Sequence, residues 1–496
     1  MPPLSVTSDD LLSILPALLL TAGALGAVGA EVFFRREARR AAAELILYAS
    51  VLGALVFTLS RLYQYPAWGR LPGFGGSVRL DALALFLSLG ILAATGLTAV
   101  LSADALRGRG IPPGEFHALL LLGAAGMLVL VQSVDLITFF VSLEILSLAV
   151  YVLSGALRGD PRSNEAAAKY LLMGAFATGF LLYGIALLYG ATGSLSLYGI
   201  GSALDSAEGG PSPTALLGFA LLAVGLAFKV GAVPFHQWIP DVYEGAPTVV
   251  TAFMSVAVKA AAFGALLRVL LTAGLPHVEA WRDAVWGLAL ATTVAANLLA
   301  LWQRSVKRML AYSSVAHTGY LLVGVAALAA PAAREDAATG AVFYLFSYTF
   351  MTLGAFAFAS LAGRDGRDAE DLDDYAGLAR RRPWSAFAMT VFLVSLAGLP
   401  PTAGFLGKFL VFKAAVAAEE YALVIAGVLG SAVSVYYYLR VVVAMYMKPA
   451  PEGSPEGASP NVTMVVLACA LFTLVLGVLP GTFLHYSKLS SWALLR

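Results

Sequence analysis

The sequence has 496 residues, 59% of them hydrophobic and only 12% charged, about half the charged share that a soluble surface carries. That shortage excludes a soluble fold, and 31 Lys and Arg against 30 Asp and Glu leave no basic field for nucleic acid.

In chain order, the first apolar run, 11–34, follows Asp9 and Asp10 instead of a basic stretch. It is also longer than the roughly 7–15 apolar residues of a signal peptide, so it reads as a retained membrane span. A helix needs about 20 apolar residues to cross hydrocarbon. Runs of that size follow at 41–61, 80–102, 116–132, 134–157, 166–191, 213–236, 248–272, 283–302, 309–330, 338–362, 384–416, 420–446 and 462–486. They lack the alternating pattern of barrel strands, so the fold class is an all-α polytopic membrane protein of about 14 transmembrane helices.

Lys and Arg gather in alternate loops, from Arg35–Arg40 through Arg304–Arg308 to Arg380–Arg382 and Lys448, seventeen on that side against seven on the other. Lys307 is counted there as a loop cation. The positive-inside rule then puts both termini outside the cytoplasm. The connectors hold no soluble domain: 363–384 reads as a polar docking segment and 448–461 as a flexible linker. Gly73, Gly75 and Gly76 have no strand before them and no phosphate-binding context, so nucleotide binding is not expected. Cys469 is the single cysteine, in an apolar run, and reads as a packing residue. The histidines form no two-His metal spacing.

Ionisable residues inside spans cost roughly 2.5–3.5 kcal/mol each on insertion scales and mark ion or proton pathways. Glu144 lies mid-span with Ser147 and Tyr151 on the same helical face, and Thr251, Ser255 and Lys259 form a second such stripe. Lys229 precedes Pro234, and Lys408 follows Pro400, Pro401 and Gly404. Pro and Gly interrupt a helix, which at membrane depth is tolerated only in protein or beside a hydrated cavity. The interrupted spans are the seventh and twelfth, five apart and therefore opposite in direction. This pattern predicts inverted repeats over spans 4–8 and 9–13. The chain then divides into 1–115, a first repeat 116–272, a second repeat 273–447, and a linker with the last span, 448–496. Histidine as a residue type titrates near neutral pH, so His236 and His317 suit a relay, although a lone histidine is commonly a packing residue. Lys169, Lys413, Arg440 and Arg268 lie toward span ends, where a long side chain snorkels to water.

The stretch KVGAVPFHQWIPDVYEGAPTVVTAFMSVAVKAAAFGALLRV (229–269), with SVKRMLAYSSVAHTGYLLVG and GLPPTAGFLGKF, resembles the antiporter-like proton-pumping subunits of respiratory complex I, the NADH-quinone oxidoreductase. The resemblance covers essentially the whole chain. PDVYEGAP and Lys408, where the M-type sister subunit has a glutamate, point to the N type, and no room remains for the long lateral helix of the L type. It implies that Glu144 and Lys229 form an ion pair that opens and closes. Lys259 becomes the central proton carrier, His236 and His317 line an axis toward Lys408 at the outlet, and Lys169 lies near the inner side. By the same resemblance, the chain is a translocase subunit in a bacterial inner membrane without a redox centre of its own. Flavin, iron–sulfur clusters and quinone belong to partner subunits, and M-type and small membrane subunits are neighbours. A subunit of a multi-subunit cation/proton antiporter and a non-pumping scaffold are the alternatives.

Overall fold

A backbone in hydrocarbon has no water to satisfy its N–H and C=O groups, and a helix satisfies them within the segment. The computed structural model describes residues 6–106, 109–206, 210–362, 369–450 and 459–495. It opens with α1 (Ser8–Ser13), α2 (Leu15–Phe33) and α3 (Arg36–Trp68), followed by an antiparallel hairpin of β1 (Leu71–Gly73) and β2 (Val78–Leu80). Next come α4 (Ala82–Ala105), α5 (Pro113–Gln132), α6 (Leu136–Ser154), α7 (Pro161–Thr192) and the short α8 (Leu197–Asp205). The chain continues through α9 (Pro213–Val230), α10 (Trp238–Gly245), α11 (Thr248–Phe253) and α12 (Lys259–Thr272), with a π-helical turn over Met254–Val258 joining the last two. The remaining helices are α13 (Glu279–Leu301), α14 (Val306–Ala327), α15 (Arg334–Ala362), α16 (Leu378–Arg381), α17 (Pro383–Ala397), α18 (Ala403–Ala417), α19 (Tyr421–Met447), α20 (Pro460–Val478) and α21 (Gly481–Leu495).

Thirteen spans among the described residues are long and apolar enough to cross a membrane, and α17 with α18 make the expected twelfth span in two pieces. Helix starts carry the capping chemistry that free N–H groups need: Asp81, Asp135 and Asp160 accept from the first turns of α4, α6 and α7. The α11–α12 and α15 spans are the most enclosed, with α14 close behind.

Several expectations change. Gly73 ends the strand β1, and Gly75 and Gly76 follow it in the turn of the hairpin, at φ 64° and φ 87°. The connector after α7 contains α8, and a further helix, α21, follows the last span. Residues 363–368 of the polar connector, 451–458 of the linker, and Arg107 and Arg496 lie outside the described residues. What is described of the connector docks on the bundle: Arg162 bonds Glu370 at 2.8 Å, and Lys448 bonds Asp373 at 2.9 Å.

Arg268 is the largest correction. It does not snorkel to water, being 1% exposed. Its Nη1 and Nη2 each donate to Asp81 at 2.9 Å, and its Nε donates to the Val131 carbonyl at 3.0 Å. Position near a span end failed as a guide because α4 and α5 pack around that end of α12. Asp81 is fully buried and also accepts from the Ala84 N–H at 3.0 Å, so the pair is satisfied on both sides. A two-pronged guanidinium–carboxylate contact of this kind ties α12 to the hairpin, α4 and α5. Removing one partner of a buried pair strands the other charge, at a cost of about 3–5 kcal/mol. Asp81→Ala is therefore expected to lower assembled protein sharply and to depress Tm in detergent, and Asp81→Leu with Arg268→Met to recover much of both. A single variant as stable as wild type would count against this staple.

Candidate functional site

Both interrupted spans break where glycine takes a left-handed turn: Gly231 (φ 78°) ends α9 and Gly398 (φ 87°) ends α17. Each break places a lysine beside it. A helix end leaves carbonyls without intrahelical donors, at the negative end of the helix dipole. Lys408 fills that position for α17. Its Nζ donates to the carbonyls of Leu396 (2.9 Å) and Ala397 (3.1 Å) and to Ser431 Oγ (2.8 Å), using all three donors of an ammonium. Gly398 makes the approach possible, since a Cβ there would sit 2.8 Å from Lys408 Cδ.

Lys229, one residue before the end of α9, donates to Ser147 Oγ (2.7 Å) and Tyr151 OH (3.1 Å) on α6. Its ammonium also lies 5.0 Å from the Tyr151 ring centre and 5.6 Å from that of Tyr170. Lys259 begins α12 just after the π-helical turn, and donates to Ser314 Oγ at 2.6 Å and to the Ser314 carbonyl. All three lysines are 3–4% exposed, and among the described residues none makes an ion pair. They are held instead by hydroxyls, carbonyl dipoles and ring faces.

Helix α14 links them. Thr318 Oγ1 donates to the Val230 carbonyl, next to Lys229, at 2.6 Å and lies 3.3 Å from the Ser314 carbonyl that Lys259 also binds. Onward, the Lys259 ammonium lies 4.9 Å from the Tyr348 ring, which is 5.2 Å from the His317 ring. His317 stands 5.6 Å from the Tyr320 ring, and Lys408 lies 4.5 Å above that ring. The two nitrogens of His317 face Tyr344 OH (2.6 Å) and Tyr438 OH (3.4 Å). Tyr348 OH and Thr352 Oγ1 are buried without a protein partner among the described residues, and such groups call for ordered water. Lys229, Lys259, His317 and Lys408 thus lie in one file along α14, joined by contacts with hydroxyls, carbonyls and ring faces.

The remaining expected residues sit apart from this file. Glu144 does not pair with Lys229: it is half-buried and accepts from Thr178 Oγ1 at 3.0 Å, while Lys229 takes the Ser147 and Tyr151 that share its helix. His236 lies in the break between α9 and α10, its ring 6.4 Å from Tyr312 and its Nδ1 buried without a protein partner. Lys169 joins an ion cluster at the arginine-rich face, its side chain partly open to water. It bonds Glu165 (2.7 Å) and Asp241 (2.8 Å), and Arg308 bonds Asp241 and Glu244, each at 2.9 Å. Lys307 is no loop cation, being 3% exposed with its Nζ donating to the Ala246 carbonyl at 3.2 Å. Thr251 and Ser255 bond nearby backbone carbonyls and leave Lys259 alone. Sequence reasoning missed Ser314, Thr318 and the tyrosines of α15 and α19. Tyr344 and Tyr348, one helical turn apart in an otherwise apolar run, were the available signal. Among the described residues no group of three His, Cys, Asp or Glu side chains is arranged to hold a metal.

Residues 133–434 match the family described as NADH:quinone oxidoreductase/Mrp antiporter, transmembrane. The chain is 43% identical over 513 aligned positions to NADH-quinone oxidoreductase subunit N of Myxococcus xanthus, covering 97% of each chain. A chain of the solved respiratory complex I from Thermus thermophilus with bound aureothin superposes with a TM-score of 0.78 at 34% identity, over 95% of this chain and 98% of that one. A chain of the Mrp complex from Dietzia sp. superposes at 0.85 with 22% identity, over 99% and 98%, which speaks to the fold alone.

Burial opposes ionisation of Asp241 on α10, but hydrogen bonds from Lys169 and Arg308 outweigh it and hold the carboxyl below its ordinary value of 3.8. A carboxylate depressed on folding stabilises fully above its unfolded value, and that stabilisation is lost as pH falls through the folded one. Asp241→Asn is accordingly expected to lower Tm at neutral pH by an amount that persists down to about pH 4 and shrinks at lower pH. Thermal melts of both proteins across that range measure it. A gap that stayed constant to pH 2 would mean that the charge is not the cause.

Proposed function

This chain belongs to the subunit N family of NADH-quinone oxidoreductase, and on that footing we propose that it moves protons across a bacterial inner membrane as one subunit of such a complex. The observation that carries this reading is the file of three buried lysines and a histidine, joined by hydroxyls and aromatic rings, between two interrupted spans. Buried ammonium groups without carboxylate partners are costly, and a fold keeps them where charge has to move.

In this reading Lys259 is the central carrier, Lys229 its inner neighbour and Lys408 the outlet group. Protonating one lysine disfavours protonation of the next through direct repulsion, which is strong in a medium of low dielectric constant. Protons therefore advance in steps, with His317 between Lys259 and Lys408. Glu144 lies one helical turn from Ser147 on α6. Movement of the Lys229 ammonium from Ser147 and Tyr151 toward Glu144 would withdraw its charge from Lys259 and let the central lysine accept a proton. Lys169, with Asp241 and Arg308, sits at the arginine-rich face, which the positive-inside rule makes cytoplasmic, leaving both termini periplasmic. His236, in the break of the seventh span, is beside the same approach. Spans 4–8 and 9–13 act as the two inverted repeats, each with its interrupted helix. Electron transfer from NADH to quinone, with the flavin and iron–sulfur clusters it requires, belongs to partner subunits, and M-type and small membrane subunits flank this one.

Lys259→Ala tests the reading in the assembled complex reconstituted into vesicles. Because a positioned proton donor contributes about 10²–10⁴-fold, proton movement per electron pair is expected to fall steeply while native-gel assembly is retained. Normal assembly with unchanged pumping would sink the proposal in favour of a scaffold. Sodium-dependent antiport in the absence of an electron donor would favour the antiporter alternative.

A further inference from the structure

Proton translocation along this file, the reading on which the following rests, makes no use of a buried carboxamide beside it. Asn297 on α13 is 2% exposed and belongs to none of the titratable steps. Its carboxamide is nonetheless fully engaged. Nδ2 donates to the Thr293 carbonyl at 2.7 Å and lies 3.0 Å from Tyr320 OH, while Oδ1 is 3.2 Å from the same hydroxyl and accepts from Tyr437 OH at 3.1 Å. Space is kept for it, since a Cβ on Gly430 would come within 2.8 Å of Nδ2. Burying a carboxamide in a membrane-embedded core is expensive unless every hydrogen bond is made, and a leucine would fill the same volume without that demand.

What the carboxamide holds is the ring at the end of the file. Tyr320 presents its face to the Lys408 ammonium at 4.5 Å and stands at 80° to the His317 ring, with Phe412 packed edge-on at 6.0 Å. A ring attracts a cation over its face and not at its edge, so the tilt of Tyr320 decides whether a charged Lys408 is stabilised there. The hydroxyl is the only polar handle by which that tilt can be set. Tyr437, which completes the clamp, is followed on α19 by Tyr438, which contacts His317. Both flanks of the His317-to-Lys408 step are therefore braced from the same turn of α19.

We infer that Asn297 is a positioning residue for the outlet step: it anchors the Tyr320 hydroxyl so that the ring lies under Lys408 and receives the proton-bearing ammonium there. Tyr437 is the second arm of the anchor. None of the three groups needs to exchange a proton for this role.

The test uses the whole complex in vesicles, with Asn297→Leu, Tyr320→Phe, the double variant and Lys408→Ala. Native-gel assembly, quinone KM, turnover and protons moved per electron pair are measured for each. Asn297→Leu and Tyr320→Phe are each expected to assemble with unchanged quinone KM, a roughly two- to thirtyfold fall in turnover, the range of a lost buried cation–ring contact, and fewer protons per electron pair. The double variant should be no worse than either single one, because both remove the same anchor. Should Asn297→Leu fail to assemble, Tyr320→Phe, which deletes one oxygen, carries the test alone. Normal proton ratios in Asn297→Leu and Tyr320→Phe beside a lowered ratio in Lys408→Ala would overturn this inference and leave the proposed function standing. A normal ratio in Lys408→Ala as well would remove the proposed function itself.

Discussion

Hydrocarbon does not tolerate an unsatisfied backbone group, and the rest of the structure depends on how the chain meets that demand at its two deliberate breaks. Elsewhere the helices satisfy themselves. At Gly398 the terminal carbonyls of α17 are released at membrane depth, and the Lys408 ammonium, with Ser431, takes them up. The break and the lysine thus solve each other's problem: the carbonyls need donors, and the buried cation needs dipoles. At Gly231 the exchange is less direct, because Thr318 takes the Val230 carbonyl while Lys229 turns to α6.

That difference makes α14 the organising helix. Ser314, His317, Thr318 and Tyr320 lie within seven residues and meet, in turn, Lys259, the tyrosines of α15 and α19, the end of α9, and Lys408. One helix therefore touches both breaks and the central lysine. The fully buried Asp81–Arg268 pair supplies a frame on the far side of the enclosed α12. The frame is charged but static, since each partner is engaged by the other and by backbone groups, with Arg79 a further 3.7 Å from Asp81. The lysines of the file have no carboxylate of this kind. Buried ion pairs and buried single charges look alike in a sequence and differ in what holds them: the first by each other, the second by hydroxyls, carbonyl dipoles and ring faces.

The arginine-rich face carries a third kind of electrostatics. Lys169, Asp241, Arg308 and Glu244 form a partly solvated cluster around α10, the short helix that follows the break in the seventh span. Water screening makes each bond modest, but together they hold α10 against α7 and α14. Glu144, by contrast, is bound to Thr178 and separate from Lys229.

Much of this was legible in the residues themselves. Span number, helical class, the interrupted seventh and twelfth spans and the placing of Lys229, Lys259 and Lys408 within spans follow from composition, the length of apolar runs and the position of Gly and Pro, all properties of one segment at a time. Partner choice was not. Ser147 and Tyr151 were read as companions of Glu144, yet they bind Lys229, because which face of α6 meets α9 depends on packing between helices 80 residues apart. Arg268 and Lys307 looked exposed from their places near span ends, and only the surrounding helices bury them. Asn297 carries no charge and gave no signal within a segment. The sequence by itself determined what each helix is and where it breaks, since the membrane acts on every segment separately. The tertiary structure alone decided which buried charge is paired with a carboxylate and which is held by neutral groups, since that depends on side chains brought from distant segments to within about 3 Å of each other.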